Sequence, residues 1–190
     1  MSPEEIEAYF TRNDKTFAFA RWGRPIAPIV FGVEDETLGL VKAAINAVTT
    51  LANHSTSETD PELGSNLMFF FFRDWKELND VPKLDHILPE LSALTVKLEK
   101  GQANQYRFFR FDEAGGIKAC FIFIRMDEHL NAVSGKTLCL SQIVQSILLW
   151  SDVTFQDASP LALLPTGETI LRPEIGALIR AAYDPALAVY

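Results

Sequence analysis

The side chains most often found at metal or nucleophilic centres are few in this chain: His54, His86, His129, Cys120 and Cys139. No two histidines stand at a spacing that turns both toward one ion on a helix. Cys120, His129 and Cys139 would converge only if the strand carrying the first neighbours the helix carrying the last. Three scattered residues argue poorly for a structural metal. Ser141 would need a base beside it to act as a nucleophile, and no histidine is near it in sequence. A polar helix face looking into a shallow cleft is the preferred reading. Arg107 and Arg110 flank Phe108 and Phe109, an interleaving that can stack nucleotides or clamp phosphates. In an acidic chain the preferred reading is Arg stems lying over an apolar strand with their heads in water. Gly115-Gly116 is a hairpin turn and not a phosphate loop, because no helix follows it.

Composition narrows the function classes. The 190 residues fit a single domain over 1–190, 48% apolar and 22% charged, with 14 Phe and three Trp to build a core without metals or disulfides. A net charge of −8 argues against nucleic acid and anionic membranes as partners, since both require a positive surface. No stretch reaches the roughly 20 apolar residues of a membrane helix. The start Met1-Ser2-Pro3-Glu4-Glu5 has neither the basic nor the apolar region of a signal peptide. The compartment is therefore left unknown: cytoplasmic as written, periplasmic or secreted if a leader has been removed. Two cysteines do not decide it.

The elements that must position these residues follow from periodicity. A short helix over 3–10 is expected with Ser2 as cap and Pro3 at its first position. Residues 25–33 read as a strand in which Pro28 suits an edge. After Glu34-Asp35-Glu36, the apolar spacing of Leu38, Val41, Ala44, Ile45, Val48, Leu51 and Ala52 predicts a helix. His54 stands at its end, where a partly positive ring would favour the helix dipole. Residues 66–72 suit a strand covered on both faces, and 84–100 a helix with Pro89 in its first turn. A hairpin pairs 106–111 with 117–124. Helices are expected over 138–150 and 173–183, the second opened by Pro173, with an irregular stretch between them. Two strands separated by a long helix usually lie parallel, and the hairpin adds an antiparallel member. The expectation is an α+β domain: a mixed, twisted sheet of four to five strands with helices on one face.

The stretch Ser141 to Asp152 has the length and apolar spacing of the metzincin active-site helix, H-E-x-x-H-x-x-G-x-x-H. The segment Leu171 to Tyr183 looks like the closing helix of matrixin-type metzincins. Cys139, Gln145, Leu149 and Asp152 also fit the pattern C-x-E-E-x-x-Q-x-L-G-L-x-N-D of an uncharacterised bacterial family of predicted secreted proteins and lipoproteins. Arg21-Trp22 to Val30 resembles that family's N-terminal opening. The resemblance implies a zincin-like frame whose chemistry has been lost. Ser141, Gln145 and Ser151 take the three ligand positions, Gln142 the general base, and Leu148 the glycine. Ser and Gln are neutral oxygen donors that compete poorly for zinc, so the expectation is no metal, no cofactor and no catalytic residue.

What remains is a cleft lined by Ser141, Gln142, Gln145, Ser151 and Asp152, and beside it an edge strand. By the resemblance that edge is 117–124, with Ile117, Ala119, Phe121 and Phe123 along it. A bare apolar edge is an aggregation hazard, so something must cover it. The choice lies between the chain's own segments 11–24 or 125–137 and a peptide or protein partner that adds a strand. The functional expectation is a non-catalytic, pseudoenzyme-like peptide- or protein-binding module. The alternatives are a hydrolase using polar residues of the same helix and a structural oligomerising subunit. The oligomeric state is unknown.

Overall fold

In a computed structural model that describes residues 1–188, the first helix, α1 (Pro3–Ala8), begins as its residue types dictate. The Ser2 hydroxyl accepts from the Glu5 amide, the Glu5 carboxylate accepts from the Ser2 amide, and Pro3 holds the first position. Strand β1 (Pro28–Phe31) leads into α2 (Asp35–Leu51), whose stripe of Val41, Ala44, Ile45 and Val48 is buried. Strand β2 (Leu67–Phe72) follows. A 3₁₀ turn over Trp75–Asp80 then leads to α3 (Leu84–Ile87) and α4 (Leu91–Lys100). Pro89 separates these two helices, where one helix with Pro89 in its first turn was expected. Its ring blocks helical continuation from the preceding turn and disfavours helical backbone at Leu88.

The hairpin forms from β3 (Gln105–Phe111) and β4 (Ile117–Arg125). The short α5 (Glu128–Asn131) precedes α6 (Gly135–Ser146), which the Ser134 hydroxyl caps. The stretch read as irregular contains a small antiparallel pair, β5 (Leu161–Leu163) and β6 (Thr169–Leu171), before α7 (Pro173–Ala182) closes the fold. The architecture is α+β with a mixed four-stranded sheet, in the order β1-β2-β4-β3. Strands β1, β2 and β4 run parallel and β3 antiparallel.

Helices cover both faces, and the expectation of helices on one face is corrected. Alternation along β2 and β4 sends Leu67, Phe69, Cys120, Ile122 and Ile124 into a large core with α2, α6 and α7. Phe70, Phe72, Ala119, Phe121 and Phe123 enter a second, smaller core under the 3₁₀ turn, α3 and α4. Seven of the nine residues of β4 are apolar, spread over both faces, because it lies at the centre of the sheet.

That position overturns the edge assignment of Ile117, Ala119, Phe121 and Phe123. Residues 120–125 pair with β2 on one side, and β3 covers the other side from Ile117 to Ile124. Of the segments considered as covers, residues 21–23 pair with β4 only at Ile117, whose amide donates to the Arg21 carbonyl at 2.9 Å. The true edges are β1, where Pro28 stands at the first residue, and β3. Among the described residues no helix is long and apolar enough to cross a membrane.

Candidate peptide-binding edge and polar cleft

Three observations define the surface around β3. The first is backbone direction. The Arg125 amide donates to the Asn104 carbonyl at 2.8 Å while Gln105 stands opposite Ile124. In an antiparallel ladder this fixes Tyr106, Phe108 and Arg110 as the residues bonded to β4, and turns the amides and carbonyls of Gln105, Arg107 and Phe109 outward. Among the described residues those outward groups have no other backbone partner. The open edge is longer than that of β1, which is four residues with a proline.

The second is a groove of about 600 Å³ along one side of this strand. Leu88, Leu94 and Lys97 face Tyr106 and Phe108 across it, with Glu90 and Arg110 at its rim. Pro89 shapes it by breaking the helix, so that α3 and α4 present an apolar wall. Arg110 is exposed. It lies over the Phe108 ring at 5.0 Å and donates to the Ile87 carbonyl at 2.6 Å. This is the solvent-facing stem expected of it.

The third lies on the opposite face, and here Arg107 departs from expectation. Its guanidinium turns under α6, where one nitrogen donates to Gln142 Oε1 at 2.7 Å and the other to Gln145 Oε1 at 3.3 Å. Its Nε is buried without a partner. Gln145 Nε2 donates to the Ser141 hydroxyl at 2.9 Å, and Gln142 Nε2 to Gln105 Oε1. Burial pushes the pKa of Arg107 down and drives the neighbouring Cys120 thiol up to about 12, against the opposing field of the guanidinium. Cys139 is also buried, its thiol pushed up to about 11, and both cysteines are free. High thiol pKa values make both poor nucleophiles.

The structure therefore brings together Ser141, Gln142 and Gln145, and joins them to Arg107 and Gln105. It does not bring in Ser151 and Asp152. Helix α6 ends at Ser146, four residues short of the expected end, and the chain beyond it serves the N-terminal segment. Ser151 Oγ donates to the Thr11 carbonyl at 2.8 Å, and Asp152 accepts from the Asn13 amide at 3.0 Å. Gln142, expected in the cleft, is only 1% exposed, so it is the floor of the cluster and not its surface. His54 is corrected too. Burial lowers its pKa, and Nε2 lies 2.9 Å from the Arg24 carbonyl, so the ring acts as a neutral donor to backbone and not as a cation at the helix end.

A further concavity of about 680 Å³ lies on the second-core face over β1 and β2, where Phe31 stacks on Phe70 at 4.8 Å. Its walls are apolar apart from Glu77 and Asp80, and the edge strand beside it, β1, is only four residues long and begins with a proline. Compared with protein-family models, curated proteins and solved structures, the chain matches none.

Proposed function

We propose that this chain is a non-catalytic binding module on a metzincin-like frame, taking an extended peptide as an added strand along β3. The observation that carries the reading is the outward backbone of Gln105, Arg107 and Phe109 between two recognition surfaces. Main-chain pairing supplies affinity, and pockets for alternate side chains supply specificity. Here the alternate pockets are the groove beside α4 and the polar cluster under α6. A hydrolytic role finds less support, because Ser141 accepts a hydrogen bond from an amide, which cannot take up its proton.

The test is amide exchange of the dilute, monomeric protein. Fast exchange at Arg107 and Phe109, with slow exchange at Tyr106, Phe108 and Arg110, is the expected pattern. Uniform protection along β3 would mean that the edge is already closed, and the reading would fall.

A further inference from the structure

The charges on β3 point to the chemistry of its occupant. Four of the 17 Lys and Arg side chains meet carboxylates: Arg24 pairs with Asp60 and Glu62, Lys118 with Glu62, Arg125 with Asp127, and Arg172 with Glu174. Arg107 and Arg110 do not. Their hydrogen bonds go to the neutral oxygens of Gln142, Gln145 and the Ile87 carbonyl. Glu90 shares the groove with Arg110 but forms no ion pair with it within 4 Å. A guanidinium held under a helix by amides alone, with a buried Nε left over, is an incompletely satisfied cation. A carboxylate is its strongest complement, by charge-assisted and often bidentate bonding.

Resting on the strand-addition reading above, we infer that the occupant is an acidic extended peptide with two carboxylate side chains three residues apart. On paired strands, residues directly opposite share a face. Arg107 and Arg110 are three apart and lie on opposite faces of the sheet. Acidic residues at i and i+3 of an added strand meet both, in either strand direction. Acids two or four apart fall on one face and meet only one arginine. A second copy of this chain is a poor occupant, because it would bring two further arginines to the same seven-residue edge.

The experiment uses the full chain and three capped decapeptides of alternating Thr and Val. One carries two Glu three apart, one two Glu two apart, and one two Gln three apart. Calorimetry should give the first an affinity about tenfold above the other two, falling with added salt. Arg110→Gln, on an exposed side chain, should remove most of that advantage, and Arg107→Gln should do the same. If Arg107→Gln does not fold, Arg110→Gln alone carries the test. Equal binding of all three peptides, or an advantage that survives Arg110→Gln, would overturn the acidic preference while leaving strand addition intact. No binding by any peptide would overturn it as well, and the free-state exchange of Arg107 and Phe109 would then decide strand addition separately. Arginine-dependent binding of an oligothymidylate with none of the peptides would assign the site to phosphates instead.

Discussion

The Arg107 guanidinium reaches Gln142 Oε1 at 2.7 Å across the gap between β3 and α6, joining the edge of the sheet to the helix that crosses it. An arginine's usual partner is a carboxylate; here the partner is an amide that also reaches back to Gln105 on the same strand. Gln142 thereby fixes the guanidinium without neutralising it.

Removing that amide should be costly. Gln142→Leu leaves a buried guanidinium nitrogen without its best acceptor and should destabilise the protein by about 1–3 kcal/mol, read from the urea midpoint. Gln142→Glu supplies the carboxylate that Arg107 lacks. It should fold more stably than Gln142→Leu and weaken acidic-peptide binding by competing from within. Tighter acidic-peptide binding by Gln142→Glu would show that Arg107 is not the contact.

His54 should make stability depend on pH near neutrality. Burial, helped by the nearby Arg21 charge, lowers its pKa in the folded protein, against the opposing hydrogen bond to the Arg24 carbonyl. The unfolded chain, with a pKa of about 6.5, then binds more protons than the folded one. The contribution is fully present above that value and is lost as pH falls through it toward the lower folded pKa. Urea midpoints between pH 8 and 5 should fall more steeply for the natural sequence than for His54→Gln. Parallel curves would rule the contribution out.

Glycine substitutions should separate strain from propensity. Gly32 ends β1 with φ +79°, and a Cβ there would stand 2.5 Å from the Phe71 backbone oxygen. Gly32→Ala should cost more than about 1–2 kcal/mol. Gly39 lies within α2 with nothing within 4 Å of an added Cβ, so Gly39→Ala should stabilise by roughly 0.5–1 kcal/mol. Chemical denaturation of the two variants checks both signs.

Local signals made much of this fold readable. The caps Ser2 and Pro3, the 3.6-residue stripe of α2, the hairpin around Gly115 and the edge proline Pro28 each act within a few residues of themselves. The errors came where the answer depended on distant chain. That β4 is central could be read in principle from its apolar residues on both faces, the pattern of a strand buried on both sides. The resemblance instead placed it at the edge. Arg107 and Arg110 look alike in sequence, yet one is held under α6 and the other lies over Phe108, because alternation sends them to faces with different covers. Ser151 and Asp152 shared a helical spacing with Ser141, but α6 stops early and their partners, Thr11 and Asn13, are some 140 residues away. No local pattern encodes that meeting.

The unequal depth of the two cores bears on how the molecule breathes. The layer formed by the 3₁₀ turn, α3 and α4 is held by the smaller core and by the bond from the Trp75 ring nitrogen to the Ala103 carbonyl at 2.7 Å. Neither α3 nor α4 has a side-chain cap at its start. Opening this layer exposes far less apolar surface than opening α2 or α6, so it forms a cooperative unit of lower local stability. Amides of α4 should therefore exchange through partial openings at denaturant concentrations where those of α6 still wait for global unfolding. The wall beside β3 is thus the most yielding part of the binding surface, able to part for a bulky side chain, with Arg110 on its rim, while Arg107 stays fixed under α6.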